Sequence, residues 1–263
     1  MFRREMKVNF KNFIIWFTIL VVLYLIVFLI YPSIIHSDNI KMIDEMMKIF
    51  PDEVLKAFNM DISSLSSVYG WLKSEGFVFI LLIVGSYAGI LGSNILLKEE
   101  NDKTIEYLNA LPLRRNKIVC SKALAGFVYV ILMVLAIGVF NFIGLSLSGE
   151  FDHRQYLLLS ITPIFSSSVL YFLCLFLSSF THKSKKIVGI SLGTVFLSYV
   201  FQILSTMSRE VEFLKYFSIY TLADIRNVIV DVSIRPIMIV VSVLLCILFL
   251  GLTLVRYNKK ELI

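Results

Sequence analysis

The chain has 263 residues, of which 58% are hydrophobic and 17% are charged, and its mean hydropathy is +0.83. Soluble domains contain roughly 45–50% apolar and about 25% charged residues, so this composition excludes an ordinary soluble protein and indicates one integral membrane domain over residues 1–263. The formal net charge of +6 does not indicate nucleic-acid binding, because the basic residues lie in short segments beside apolar runs, where they orient a membrane protein.

Residues 1–12 are basic and carry large apolar side chains at helical spacing. Phe2, Met6 and Phe10 recur on one helical face. The other faces carry four basic residues, which are Arg3, Arg4, Lys7 and Lys11. The pattern predicts an interfacial helix on an anionic leaflet, with a disordered basic tail as the alternative. A cleavable signal peptide is not expected, because the next apolar run is about span length and no small-residue cleavage site follows it.

Six apolar runs are long enough to cross a bilayer, which takes about 20 residues. They predict an all-α membrane protein with spans at 13–31, 77–97, 118–146, 156–180, 187–207 and 234–256. Most basic residues lie before the first span, between the second and third, between the fourth and fifth, and after the sixth. The positive-inside rule therefore predicts that both termini are cytoplasmic.

Two longer segments are predicted on the outer side. In 32–76, apolar residues at helical spacing predict two short amphipathic helices, with Pro51 at the start of one. The methionines in this segment either contact a hydrophobic cargo or anchor the helices in the membrane interface. They are Met42, Met46, Met47 and Met60. The 208–235 segment is too polar to span, so it predicts an amphipathic helical hairpin in the outer interface before span six.

The second span carries small residues at four-residue intervals, namely Gly85, Gly89 and Ser93. Small residues allow another helix to approach closely, so these three are predicted helix-packing residues. Their partner helix lies either in the same chain or in a second subunit, and the sequence does not decide between the two.

Several kinds of chemistry are missing from the sequence. No apolar run has an acidic or basic residue near its middle, which argues against a proton-coupled carrier, an ion pump or a charge-lined channel. Neither a GxxxxGK[ST] phosphate loop nor an HExxH zinc motif is present. Cys120, Cys174 and Cys246 lie in or beside apolar runs without metal-binding or redox spacing. The sequence therefore predicts no nucleotide site, metal site or disulfide in this chain.

One motif indicates a different class of protein. Gly189–Gly193 reads GISLG, which matches the GxSxG nucleophile pattern around Ser191. That motif needs a strand–turn–helix setting and a histidine partner, and the nearest histidine is His182. Because the motif falls inside a predicted span, helix packing is the preferred interpretation, and an intramembrane hydrolase is the alternative.

The stretch between spans two and three is densely charged, although it separates two very apolar runs. Ile105, Leu108 and Leu111 recur at helical spacing. Charged and polar residues occupy the other positions of the stretch, namely Glu99, Glu100, Asp102, Lys103, Glu106 and Asn109. This predicts an amphipathic helix within 98–117 that docks a soluble partner. The alternative is a solvated connection that only enforces the topology.

This stretch resembles the cytoplasmic loop between spans two and three of ABC-2 type permeases, the membrane subunits of bacterial ABC exporters. The family pattern runs acidic, Gly-Thr, x, Glu, two Leu-like positions, Leu-Pro, x, Ser/Thr-Arg, Ile and Lys. The matching residues are Glu99 or Glu100, Thr104, Glu106, Leu108, Leu111, Pro112, Arg115, Ile118 and Lys122. The chain departs from the pattern at Lys103, where Gly is usual, and at Arg114, where Ser or Thr is usual.

The resemblance implies that this loop is a coupling helix in a cleft of a separate ATP-binding subunit. The expected docking residues are Glu99, Glu100, Thr104, Glu106, Leu108, Leu111, Pro112 and Arg115. It further implies two ATP-binding subunits, which bind ATP and Mg, and a second permease subunit, identical or homologous. No cofactor and no catalytic residue are expected in this chain.

The function implied is ATP-driven outward transport of a hydrophobic or amphipathic cargo across the bacterial plasma membrane by alternating access. The cargo classes that fit are a peptide, an antimicrobial or a lipid-like molecule. The alternatives are a six-span scaffold that recruits a cytoplasmic partner without transport, and a passive channel with a hydrophobic gate.

Overall fold

The computed structural model describes residues 1–34, 67–104 and 114–260, together with residues 45 and 49. The α-helices in these ranges are α1 (Phe2–Ile34), α2 (Val68–Trp71), α3 (Phe77–Ile95), α4 (Lys98–Asn101), α5 (Arg115–Ser148), α6 (His153–Ile161), α7 (Pro163–Ser178), α8 (Ser184–Met207), α9 (Arg226–Asp231) and α10 (Pro236–Lys259). A π-helical turn at Leu72–Gly76 joins α2 to α3. Two 3-10 helices, Arg209–Tyr216 and Ile219–Ala223, lie between α8 and α9.

Six helical segments are long and apolar enough to cross a membrane: α1, α2–α3, α5, α6–α7, α8 and α10. No strand occurs in the described ranges. The prediction of an all-α protein with six membrane-spanning helices is therefore confirmed. The methionine cluster and Pro51 of the first outer segment lie outside the described residues.

The first helix differs from the prediction at its N-terminal end. We expected a separate interfacial helix at 1–12, but α1 runs without a break from Phe2 to Ile34. Its first turns pack against protein, since Glu5 and Asn9 are buried and Met6 contacts the apolar core. The Tyr129 hydroxyl of α5 donates a hydrogen bond to the Met6 carbonyl. These contacts join the predicted interfacial segment to the first span.

The core of the bundle is built around α3 and α7. The α3 helix packs against α7, α8 and α5, while α7 also packs against α10, and α1 packs mainly against α5. In the most apolar window of each span, 72% of α2–α3 is buried but only 11% of α1 and 11% of α10. Apolar side chains on the outer faces of α1 and α10 suit a lipid surround, which is as apolar as they are.

The small residues of α3 contact other helices of the same chain. A Cβ atom on Gly85 would clash with the Tyr220 hydroxyl, and one on Gly89 would lie 3.3 Å from Val195 Cγ2. The Ser93 hydroxyl donates to Gly89 O at 2.6 Å and also contacts the Ser191 hydroxyl of α8. Close approach of α8 and of the Ile219–Ala223 helix to α3 therefore depends on this row of small residues.

The segment after α8 is helical, as expected, but its turns are mostly of the tighter 3-10 type. Tyr220 is buried there and its hydroxyl donates to Leu81 O at 3.1 Å. The Ser218 hydroxyl donates to Ser198 O at 2.7 Å. These bonds fasten the predicted amphipathic segment to α3 and α8.

Candidate docking site at the N-terminal end of the bundle

One end of the bundle, which we call the N-terminal end, holds the start of α1, the α4 turn, the starts of α5 and α8, and the end of α10. Its central element is α4, a single helical turn after the buried residues Leu96 and Leu97. The turn ends at Asn101, and Lys103 then adopts a left-handed conformation with φ of 54°. The helix predicted within 98–117 is therefore only one turn long over its described first part.

The reversal after α4 is a Schellman motif. The Thr104 amide donates to Glu99 O at 2.8 Å, and the Lys103 amide donates to Glu100 O at 3.4 Å. This pair of bonds satisfies carbonyls that a helix end otherwise leaves unpaired. Glycine is favoured at the left-handed position because it has no Cβ, and Lys103 stands where the ABC-2 type loop usually has glycine.

A buried ion cluster ties α4 to α1 and α5. Lys122 is fully buried, and its Nζ atom lies 2.8 Å from Glu99 Oε1 and 3.1 Å from Glu5 Oε1. The same Nζ donates to Ile95 O at 3.0 Å, at the last residue of α3. One ammonium thus joins the first span, the end of the second and the start of the third. Each charge of such a buried cluster is needed for the stability of the folded chain, because removing one partner leaves the others unpaired in a poorly hydrated site.

A second cluster ties α4 to the C-terminal end of the chain. Glu100 accepts from Lys260 Nζ at 2.8 Å through Oε1 and lies 2.7 Å from His182 Nδ1 through Oε2. Lys260 also donates to Thr181 O at 2.7 Å. Burial lowers the pKa of the Lys260 ammonium below its usual value, and the hydrogen bond to Glu100 opposes that effect. The α4 turn is thereby linked to the α7–α8 connection and to the end of α10.

Arg115 lies at the start of α5 and binds the end of α10. Its Nη1 atom donates to Lys260 O at 2.9 Å and to Asn258 O at 3.2 Å. A guanidinium at a helix C-terminus satisfies free carbonyls and suits the negative end of the helix dipole. Arg115 therefore fixes α10 to α5 beside the two ion clusters.

The predicted docking residues fall into three groups. Glu99 and Glu100 have nearly buried carboxylates that bind Lys122 and Lys260, and Arg115 binds the end of α10. Thr104 closes the Schellman motif with its backbone. The remaining four predicted residues, Glu106, Leu108, Leu111 and Pro112, lie outside the described residues.

Sequence reasoning did not find the partners of these residues. Glu5 is the one acidic residue among the first twelve residues of the chain. An isolated acid in a basic segment was the one feature of the sequence that pointed to a specific basic partner. The sequence places Lys122 in the family pattern without indicating a partner, and it offers Lys260 only as one of the basic residues after the sixth span. Because Glu5 and Lys122 are 117 positions apart, no local spacing relates them.

The GISLG segment does not have the geometry that a hydrolase needs. The α8 helix runs through it without a turn, and Ser191 is fully buried with its hydroxyl against Ser93. The Nδ1 atom of His182 binds Glu100 at the N-terminal end. Gly189 and Gly193 face open space, where a Cβ would meet nothing within 4 Å. The motif therefore lacks the strand–turn–helix setting of a nucleophile elbow.

Comparison with known proteins agrees with the sequence pattern and the fold. A family model described as ABC-2 family transporter protein matches residues 2–262. No curated protein and no solved structure matched the chain. Membrane proteins of this family work with ABC ATP-binding subunits. The match covers all six membrane-spanning helices, and so the chain belongs to the ABC-2 transporter family as a multi-pass membrane protein.

Proposed function

We propose that the chain is the permease subunit of an ATP-driven exporter, and that α4 is where the motion of a separate ATP-binding subunit enters the bundle. The family match and the six spans support the permease assignment. Because the sequence has no phosphate-binding loop, ATP and Mg are bound by the partner subunit. The chain itself has no catalytic role in this proposal.

The observation that carries the proposal is the double anchoring of α4. Glu99 binds Lys122 of α5, which also binds Glu5 of α1, while Glu100 binds Lys260 beyond α10. A displacement of α4 therefore acts directly on the first, third and sixth spans. A turn that is fixed by buried ion pairs transmits a rigid-body motion better than a solvated connection does.

The residues that meet the partner differ in role from those that anchor the turn. Glu99, Glu100 and Arg115 are anchors in this proposal, because their charged groups are bound within the chain. The exposed charged side chains around them are Asp102, Lys103, Arg114 and Lys117. We assign the contact with the ATP-binding subunit to these exposed residues, to Thr104, and to Glu106, Leu108, Leu111 and Pro112.

The proposed assembly has two permease subunits, identical or homologous, and two ATP-binding subunits in the bacterial plasma membrane. The N-terminal end faces the cytoplasm, because it carries the basic residues that the positive-inside rule places there. The spans alternate between inward- and outward-accessible states, biased by nucleotide-driven closure of the partner. Uncharged span interiors favour a hydrophobic or amphipathic cargo such as a peptide, an antimicrobial or a lipid-like molecule.

The test is co-purification and vesicle transport with the cognate ATP-binding subunit. Glu106→Lys and Pro112→Gly should weaken partner binding and transport without unfolding the spans. Glu150→Lys is the matched control, since Glu150 is an exposed acid beyond the opposite end of α5. Unchanged transport in the Glu106→Lys variant would exclude the docking role. A partner that binds while no cargo moves in vesicles would favour the scaffold alternative.

A further inference from the structure

An open cavity of about 650 Å³, lined by polar and charged residues, lies at the N-terminal end, between the start of α1 and the start of α8. Asn9 and Asn12 line it from α1, Lys98 and Asp102 from the α4 region, and Lys183 and Lys185 from the start of α8. The α1 helix packs mainly against α5 and α8 against α3, so the two helices flank a cleft. None of the three members of the Lys122 cluster lines the cavity, whereas His182, which binds Glu100 in the second cluster, also lines it.

The charge of the lining suits an anion. Among the residues that the structure describes, no carboxylate lies within ion-pair distance of Lys98, Lys183 or Lys185. Lys122 and Lys260, at the same end, are instead buried and paired with carboxylates. The three unpaired ammonium groups outnumber the carboxylate of Asp102 around the cavity. Side-chain amides of asparagine add neutral hydrogen-bond donors.

The faces deeper in the bundle suit hydrocarbon chains. Ile15 and Ile19 lie three and seven residues after Asn12, on the same face of α1, and both are exposed. Gly189 lies four residues after Lys185 on α8, and a Cβ there would meet nothing within 4 Å. A cavity at a span end that is lined by lysine side chains, with open apolar surface next to it, has the features of a lipid headgroup site.

We propose that this cavity binds the phosphate group of an anionic phospholipid, with the acyl chains against α1 and α8. The ammonium groups of Lys98, Lys183 and Lys185 neutralise the phosphate, and Asn9 and Asn12 donate hydrogen bonds to its oxygens. The site requires neither the ATP-binding subunit nor a cargo. It therefore stands apart from the proposed transport function and is tested on the purified chain.

The two tryptophans of the chain provide the reporter. Trp16 lies one turn deeper than Asn12, whereas Trp71 lies on α2 near the opposite end. A Trp71→Phe variant in phosphatidylcholine nanodiscs is titrated with phosphatidylglycerol that carries brominated chains, which quench tryptophan on contact. Brominated phosphatidylcholine is the lipid control, and a Trp16→Phe variant reports on Trp71. We expect saturable quenching of Trp16 that prefers phosphatidylglycerol, and no such preference at Trp71.

Charge variants test the site. Lys183→Gln with Lys185→Gln should weaken the apparent phosphatidylglycerol affinity by about fivefold for each lysine removed. Lys186→Gln with Lys259→Gln removes two exposed lysines that do not line the cavity, and should change the affinity by less than about twofold. Asp102→Asn should strengthen binding, because it removes a like charge from the site.

Four results would overturn the proposal. The first two are equal quenching of Trp16 by both lipids and equal losses of phosphatidylglycerol affinity in the two double-lysine variants. The third is that a second copy of the chain covers Trp16 and excludes both brominated lipids from it. The fourth is that inorganic phosphate displaces phosphatidylglycerol completely, whereas sodium chloride of equal ionic strength does not. The last result would assign the site to a soluble phosphate. Selective, lysine-dependent quenching that inorganic phosphate does not abolish would establish the lipid site.

Discussion

Lys122 and Glu99 form a buried ion pair, 2.8 Å between Nζ and Oε1, that fixes the α4 turn to the third span. Glu5 of the first span shares the same ammonium at 3.1 Å. The second carboxylate oxygens of Glu5 and Glu99 have no hydrogen-bond partner among the described residues. The two carboxylates therefore depend on this one lysine, which joins the start of α1 to α5 in addition to the hydrogen bond from Tyr129 to the Met6 carbonyl.

Lys122→Met should lower the free energy of unfolding by about 3–5 kcal/mol, because it leaves two buried carboxylates without their shared cation. The measurement is denaturant-induced unfolding of the purified chain in detergent. The triple variant Glu5→Gln, Lys122→Met and Glu99→Gln should recover most of the loss, since it leaves no buried net charge. Equal stability of the Lys122→Met variant and the unchanged chain would contradict the role of the cluster.

Local patterns predicted the spans but not this cluster. The six helices could be found because each apolar run is continuous in sequence, and the small residues of α3 because they recur every four positions. The ion cluster joins Glu5, Glu99 and Lys122 from three separate segments, so its members become neighbours only after the helices pack. The continuity of α1 was missed for the same reason, since the apolar face of its first turns meets Tyr129 of α5.

The left-handed position after α4 predicts a gain in stability. Lys103→Gly should raise the free energy of unfolding by about 1 kcal/mol, because a side chain in the left-handed region carries a steric cost that glycine avoids. Lys103→Ala is the matched control, since it removes the charge but keeps the Cβ atom, and it should give no such gain. The measurement is thermal unfolding of both variants. A gain of the same size in the alanine variant would assign the effect to charge.

Lys260 predicts a pH dependence of stability. The pKa of Lys260 is lowered in the folded chain, chiefly by burial. At pH values just below the usual lysine pKa of about 10.4, Lys260 therefore binds fewer protons in the folded chain than in the unfolded chain. The free energy of unfolding then rises with pH through that range, and the contribution of Lys260 to the slope vanishes below its lowered pKa.

Lys260→Met should therefore flatten the alkaline part of the stability curve, measured by denaturant unfolding at a series of pH values. Lys259→Met removes an exposed ammonium one residue away and should leave the curve unchanged. Identical slopes for Lys260→Met and the unchanged chain would show that Lys260 does not respond to burial in this way.

Two glycines on different helices predict opposite effects of the same change. A Cβ atom on Gly92 of α3 would clash with the backbone carbonyl of Tyr171, which cannot move aside as a side chain does. Gly92→Ala should therefore lower the free energy of unfolding by about 1–3 kcal/mol. Gly189→Ala should be neutral or stabilise by up to about 1 kcal/mol, because alanine favours a helix and the space is open. A Gly92→Ala variant as stable as the unchanged chain would mean that α3 and α7 are not in close contact at this position.

The proposed function gives the ion pair between Glu100 and Lys260 a role in transmitting motion and not in partner binding, and this difference can be tested. Glu100→Gln weakens the link to Lys260 but leaves the exposed side chains around α4 in place. We expect this variant to co-purify with the ATP-binding subunit and to retain ATP hydrolysis, while moving less cargo per ATP. Glu106→Lys should instead reduce co-purification itself, because that residue is assigned to the contact. The measurement is vesicle transport and ATP hydrolysis in parallel, with Glu150→Gln as the control at an exposed acid. If Glu100→Gln keeps a normal ratio of cargo to ATP, the last span does not receive its motion through this ion pair.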